Sequence, residues 1–338
     1  MKKTGAAILI VALLFVNFIG LAGTAYAAKP AVKPAQSSDE LLKMMPDANA
    51  LVIINVAQLS VQVQALLSKD PDLASKFQSH LNRIAAETGV NVQAIEQVAL
   101  GVSLSDTATS PSPVVVLAGA FDQEQILARL AAGSGANWKA KRFKGQRIYV
   151  EPKSNSSARA TISFFDDQSK IAFGSTADVK RVINARSGKQ SSVMQDAALM
   201  SALQQAGASS SIRFAFTIPE EIWQKLGSIP GAALFLRQLS SIKQVVGNVD
   251  LSDAGIQANV SLITSSAKEA GDLVALINQG LTLAKGLLAR YPEGELIISI
   301  LNGVTAAQSG NAANVTVSIP ADLIRRLIDE YKSKASRS

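Results

Sequence analysis

The fold is decided by the segment ATISFFDDQSKIAFGSTADVKRVI, residues 160–183. Two apolar runs, 160–165 and 170–175, flank an acidic turn. Runs of this length bounded by turn residues predict the two strands of a β-hairpin, and the pattern of residues 176–185 predicts a helix directly after it. Because hairpins build antiparallel sheets, we expect an α+β fold with helices packed on one face, rather than a parallel Rossmann-like sheet.

The same kinds of pattern run through the rest of the chain. Apolar or alternating runs predict strands at 50–59, 97–104, 113–121, 147–152, 212–218, 243–251, 255–263, 303–308 and 313–319. Helical periodicity predicts helices at 58–68, 72–88, 122–132, 196–206, 220–226, 231–239, 266–289 and 321–332. Several strands adjoin their neighbour across a short turn, which extends the hairpin arrangement to both halves of the chain.

Two segments suggest that the chain is an internal duplication. RFAFTIPEEIWQKL (213–226) and NVTVSIPADLIRRL (314–327) share a strand, an Ile-Pro pair, an acidic first turn and an apolar helix. The alternative is convergence, since helix starts in general favour proline and acidic residues. We predict a first α+β repeat at 41–208 and a second at 209–334, each with antiparallel strands.

Composition excludes many kinds of chemistry. The 338 residues are 48% hydrophobic and 17% charged, which suits a globular chain of about two domains. Cysteine is absent, so disulfides, thiolate metal sites and thiol nucleophiles are excluded. His80 is the single histidine, which excludes multi-histidine metal sites. We therefore expect no enzymatic activity, no metal and no cofactor.

The N-terminus predicts export. Lys2 and Lys3 precede an apolar run that ends near Leu21, and Ala25-Tyr26-Ala27 fits signal peptidase. We predict a signal peptide at 1–27, a flexible linker at 28–40 and a disordered tail at 335–338. The exported protein is expected in the periplasm or outside the cell. The alternative is an uncleaved helix that tethers a structural protein to the membrane. Loss of the signal lowers the net charge from +7 to +5, which gives no reason to expect nucleic-acid binding.

Three segments resemble a group of uncharacterised secreted and periplasmic bacterial proteins. They are PDANALVIINVAQL (46–59), FKGQRIYV (143–150) and ATISFFDDQSKIAFGSTADVKRVI (160–183). The resemblance covers residues 46–183, and its motifs are structural. It implies an exported, often duplicated α+β protein, and it supplies no functional residues.

One local segment stands above the background. WKAKRFKGQR, residues 138–147, contains five cations interleaved with two aromatic residues, and no acidic residue follows before Glu151. We predict an anion-binding hairpin formed by Lys139, Lys141, Arg142, Lys144 and Arg147. The alternative is a solvated edge strand whose lysines prevent aggregation.

The favoured function is therefore binding or association with the cell envelope, without catalysis. The ligand would be an anionic envelope lipid or polysaccharide, and the membrane would be contacted only through an uncleaved signal segment. The alternative enzyme is a hydrolase with a Ser–Lys dyad, for which Ser240 with Lys243 and Ser265 with Lys268 have the spacing. Pairs of this spacing also arise by chance in a chain rich in serine and lysine.

Overall fold

A computed structural model describes residues 38–68, 70–103, 112–135, 137–151, 159–166, 168–227, 239–291 and 294–335 of the chain. The predicted signal peptide and residues 231–238 of the predicted helix at 231–239 lie outside these residues, as do residues 28–37 of the predicted linker and 336–338 of the predicted tail. The chain divides into two compact units, residues 1–200 (unit 1) and 201–338 (unit 2).

Unit 1 combines an antiparallel sheet with helices. Its helices are α1 (Ser38–Met44), α2 (Val56–Leu67), α3 (Pro71–Thr88), α4 (Gln123–Ser134) and α5 (Thr176–Arg186), and α6 (Ala197–Gln205) crosses the division between the units. Its strands are β1 (Ala50–Asn55), β2 (Ile95–Ser103), β3 (Ser112–Gly119), β4 (Lys139–Phe143), β5 (Gln146–Val150), β6 (Ala160–Phe165) and β7 (Lys170–Ser175). Within this unit the strands lie in the order β1-β2-β3-β7-β6-β5-β4, so β4 forms an edge.

Side-chain caps explain where several helices of unit 1 begin. The side chain of Asn55 accepts a hydrogen bond from the backbone N–H of Gln58, which ends β1 and starts α2. Asp122 and Ser175 cap α4 and α5 in the same way. Capping by Asn55 makes β1 four residues shorter than the predicted strand 50–59.

The core of unit 1 includes residues of the strands and of several helices, among them α1 and α5. Val179 and Val182 of α5 are fully buried, as are Val116 and Ala172 of the sheet. Met45, which follows α1, is also fully buried. Its sulfur lies 2.5 Å from the position that a Cβ at Gly101 would occupy, so a side chain at Gly101 would displace it. Helix α1 begins at Ser38, so residues 38–40 of the predicted linker are helical.

Unit 2 is also an α+β unit. Its helices are α7 (Glu220–Gly227), α8 (Ala267–Leu288), α9 (Gly294–Asn302) and α10 (Ala321–Ala335). Its strands are β8 (Ile212–Thr217), β9 (Ile242–Ser252), β10 (Gly255–Thr264), β11 (Val304–Ser309) and β12 (Ala312–Pro320). Within this unit they lie in the order β8-β9-β10-β12-β11, so β11 forms an edge.

The two faces of the unit 2 sheet differ in chemistry. Paired residues of antiparallel strands share a face, so Phe216, Val245, Leu262 and Ala313 lie together on an apolar face. Leu262 and Val245 pack around a small core that includes Leu273 of α8. The opposite face carries polar residues, among them Asn248, Asn259 and Thr316, which hydrogen-bond to one another across the strands.

The predicted α+β class with antiparallel strands is confirmed. The strand orders of the two units also correspond, because β1-β2-β3-β7-β6 and β8-β9-β10-β12-β11 follow the same sequence of connections. Unit 1 has the additional hairpin β4–β5. We propose that this shared order reflects an internal duplication. Among the described residues, no helix is long and apolar enough to cross a membrane.

Candidate anion-binding hairpin

The predicted basic segment forms the edge hairpin β4–β5 of unit 1. Lys139 pairs with Val150, Lys141 with Ile148 and Arg142 with Arg147. The connection is the two-residue turn Lys144-Gly145, whose φ angles are 48° and 82°. Two-residue hairpin turns with positive φ at both central residues match the right-handed twist of the strands. The hairpin therefore places its tip and its outer strand at the sheet edge.

All five predicted cations are exposed. Lys139, Lys141, Arg142, Lys144 and Arg147 lie at exposed positions, and none forms an ion pair with a carboxylate of the described residues. Arg142 and Arg147 lie directly opposite each other. Like charges in this arrangement repel, so an anion between or above them relieves the repulsion.

The hairpin is held to the sheet by its inner strand. Ile148, Tyr149 and Val150 are buried. The Tyr149 hydroxyl accepts a hydrogen bond of 2.9 Å from the side chain of Gln123 at the start of α4. The side chain of Gln146 donates a hydrogen bond of 2.7 Å to the carbonyl of Phe164 on β6. Strand β5 thus anchors the hairpin and leaves β4 with its cations in solvent.

Helix α5 adds a cation that the sequence analysis missed. The ammonium group of Lys180 lies 5.1 Å from the centroid of the Phe143 ring, and that of Lys144 lies 5.5 Å from it. Lys144 also donates a hydrogen bond of 2.6 Å to Oδ1 of Asn184. Lys180 and Asn184 are four residues apart and lie on one face of α5, but no signal in the sequence links that face to the hairpin. We name Lys180 and the five hairpin cations the basic hairpin site.

Two other cations of unit 1, Lys170 and Arg186, are neutralised within the fold. The Lys170 ammonium lies 3.0 Å from carboxylate oxygens of both Glu40 and Asp166, and Arg186 pairs with Asp166. Burial acts to lower the pKa of Lys170, but the hydrogen bonds to Asp166 and Glu40 outweigh it, so the pKa lies above its ordinary value. These cations hold α1, α5 and the β6–β7 turn together, in contrast to the unpaired cations of the basic hairpin site.

The second Ser–Lys pair, Ser265 with Lys268, does not suit a hydrolase. Lys268 donates a 2.7 Å hydrogen bond to Asp272, and this bond together with the Asp272 charge raises the pKa of the lysine. A lysine that activates a serine needs a lowered pKa, because only the neutral amine accepts a proton. In the first pair, Ser240 precedes β9 and Lys243 is an exposed residue within it.

His80 has a local partner on its own helix. Its Nδ1 lies 2.7 Å from a guanidinium nitrogen of Arg83. Burial and the Arg83 charge lower the pKa of His80, so the imidazole is neutral at pH 7. Among the described residues, no group of three or more histidine, aspartate or glutamate side chains is arranged to hold a metal ion.

Comparisons with known proteins give little further information. No family model and no curated protein matches the chain. Among solved structures, crystal form I of TP0453 is similar, with 12% identity, a TM-score of 0.43, and coverage of 90% of this chain and 99% of that chain. Crystal form III of TP0453 has 10% identity, the same TM-score of 0.43, and coverage of 86% and 97%. A likeness at this level carries no argument about function.

Proposed function

We propose that the chain is an exported, non-enzymatic protein of the cell envelope that binds an anionic ligand through the basic hairpin site. The observation that carries this proposal is the set of exposed cations on β4 that have no carboxylate partner among the described residues. Elsewhere in unit 1, Lys170 and Arg186 have such partners. Uncompensated surface cations attract anions and concentrate them locally.

The spacing of the cations favours a ligand with repeated anionic groups. Side chains two residues apart on a strand lie on one face about 6.6 Å apart, so Lys139 and Lys141 present two charges in a row. Phe143 continues that row, and the ammonium groups of Lys144 and Lys180 lie near its ring. Phosphates or carboxylates repeated along a polysaccharide or across a lipid surface meet such a row.

The predicted export signal makes envelope components the relevant ligands. The short run of positive charge, the apolar segment and Ala25-Tyr26-Ala27 support export, which separates the chain from cytoplasmic nucleic acid. N-terminal sequencing of the exported protein should begin at Ala28. Recovery of intact Met1 in the membrane fraction would instead support the anchored alternative.

The proposal is tested by reversing the charge of the hairpin. The variant Lys141→Glu/Arg142→Glu/Lys144→Glu should bind anionic vesicles or an acidic polysaccharide about a hundredfold more weakly than wild type at low salt. The two ligands, measured separately, distinguish lipid from polysaccharide. High salt should weaken wild-type binding, because ions screen exposed charges.

A matched control variant has the same net charge as the hairpin variant. Lys43, Lys76 and Arg129 are also two lysines and one arginine at exposed positions of unit 1. The variant Lys43→Glu/Lys76→Glu/Arg129→Glu should retain most of the binding. Equal losses in the two variants would show that net charge alone attracts the ligand, and absence of wild-type binding at low salt would contradict the proposal.

A further inference from the structure

Helix α8 carries an exposed apolar stripe in its C-terminal half. Leu283 is 66% exposed and Leu287 is 51% exposed. Tyr291, just after the helix, is 64% exposed. These three residues are spaced by four, so they follow one side of the helix. We name Leu283, Leu287 and Tyr291 the α8 stripe.

The neighbouring helix extends this apolar surface. Helix α9 packs against α8, and its Ile297 is 45% exposed. Only the first part of α8 is fully covered, where Ala270 and Leu273 are buried. Large apolar side chains that stay in water along one side of a helix mark a surface that meets a partner.

Charge around the α8 stripe indicates the kind of partner. No acidic residue lies between Asp272 and Glu293, whereas Lys285 and Arg290 lie in this interval. Arg290 is exposed and forms no ion pair with a described carboxylate. Leucines beside a tyrosine and basic residues are typical of helices that lie in the interface of a bilayer, with their cations among the headgroups.

A second copy of the chain fits this surface less well. A two-fold contact between two α8 stripes brings the two Arg290 side chains to the same interface, and the described carboxylate beside Ile297, that of Glu295, already lies 4.0 Å from Arg326. The headgroups of anionic lipids supply that negative charge.

We propose that the α8 stripe, together with Ile297, docks on the surface of an anionic lipid bilayer. The helix lies in the headgroup region with Leu283 and Leu287 entering the acyl boundary and Tyr291 at the polar level. This docking does not span the bilayer, and it does not depend on the basic hairpin site.

The absence of cysteine allows a test that is specific for position. Leu287→Cys gives the full chain a single thiol, which is labelled with a polarity-sensitive fluorophore. Vesicles that contain phosphatidylglycerol should move the emission of this probe to shorter wavelength. Addition of Leu283→Ser and Tyr291→Ser to the labelled chain should weaken the response at least tenfold, because apolar side chains are lost from the interface.

The control label is Ser309→Cys. Ser309 is exposed at the end of β11, and Gln308 beside it hydrogen-bonds to Ala267 at the start of α8. Leu287 lies twenty residues further along that helix, about 30 Å away. The control probe should therefore not respond, even where the apolar N-terminal segment of the chain enters the vesicles. Unchanged thermal midpoints should accompany all of these variants.

The remaining outcomes overturn the proposal. Equal responses at positions 287 and 309, no response at 287, or an equal response to phosphatidylcholine vesicles contradict docking of the stripe on an anionic bilayer. A shift at 287 without vesicles means that a second copy or another segment of the chain covers the stripe. At saturating concentrations of vesicles, the hairpin variant Lys141→Glu/Arg142→Glu/Lys144→Glu should still reach the full response at 287, although more lipid is needed, which separates this proposal from the proposed function.

Discussion

Units 1 and 2 place corresponding strands in the same order but bury them to different extents. All residues of β6 except Ala160 are buried, whereas no residue of β11, the corresponding strand of unit 2, is buried. In unit 1 the valines of α5, Val179 and Val182, are fully buried. In unit 2 most of the apolar face is half-buried, and α8 exposes the stripe that begins at Leu283. The comparison teaches that strand order defines a topology, while the fit of the helices on the sheet determines the core.

The largest expected difference between the units concerns leucine truncation. Leu51→Ala in β1 removes a fully buried side chain and should lower the free energy of unfolding by about 3 kcal/mol. Leu262→Ala in β10 removes a half-buried side chain and should cost about 1 kcal/mol.

The two tryptophans allow these costs to be assigned to a unit. Trp138 lies in unit 1 and Trp223 in unit 2, so denaturant unfolding can be followed in Trp138→Phe and Trp223→Phe backgrounds. Equal costs for the two leucines would contradict the difference in burial. A single transition reported identically by both tryptophans would show that the units unfold together.

A smaller effect is expected from the ion pairs. Lys170→Met in unit 1 leaves Glu40 and Asp166 without their shared cation and should lower the free energy of unfolding by about 1–2 kcal/mol, because both carboxylates are partly exposed. The matched variant Lys268→Met in unit 2 breaks the exposed pair with Asp272 and should leave the midpoint unchanged.

The same lysine predicts a dependence on pH. The pKa of Lys170 in the folded protein lies above its ordinary value of 10.5. Its stabilising contribution is therefore complete below 10.5 and is lost as the pH rises through the higher folded pKa. The difference in stability between wild type and Lys170→Met should be constant from pH 7 to 10 and should decrease in more alkaline solution. A constant difference throughout would contradict the role of the charged lysine.

The smallest expected effect concerns His80. Because it is the single histidine of the chain and lies in unit 1, a loss of stability caused by histidine protonation is expected in unit 1 only. Burial and Arg83 lower the pKa of His80 below 6.5, so the unfolded chain takes up a proton before the folded chain as the pH falls. Stability should therefore decrease slightly below pH 6.5, and His80→Gln should remove that component. Because His80 is the single histidine, its titration by NMR is unambiguous. A midpoint at or above 6.5 would contradict this prediction.

The sequence predicted local structure better than it predicted contacts. Residues 160–183 form the hairpin β6–β7 and helix α5, as their apolar runs and turn indicate. Helix α9 was missed, because residues 294–302 are short and almost uniformly apolar. The anion-binding role of the hairpin cations stays a prediction. Lys180 could not be assigned to that site from spacing, since it is 37 residues from Phe143 and only the fold brings them together.

The α8 stripe was missed for a different reason. Apolar residues at helical spacing predict a face that is covered, and periodicity does not tell which half of a long helix reaches the sheet. Leu273 is buried and Leu287 is not, although both belong to the same helix. That distinction depends on how far the sheet extends beneath α8, which is a property of strand length and packing.

The two edge strands have opposite consequences for polymerisation. Strand β4 places three cations along five residues, whereas β11, Val304–Ser309, contains no charged residue. An extended filament built by edge-to-edge addition needs two edges that accept a new strand, and the cations of β4 disfavour its use as such an edge, because they would lose water against an added strand. Association by strand pairing is therefore favoured at β11, where a contact between two β11 strands joins two chains. The charged edge thus limits growth, and removal of its charges would leave an edge that accepts a further strand.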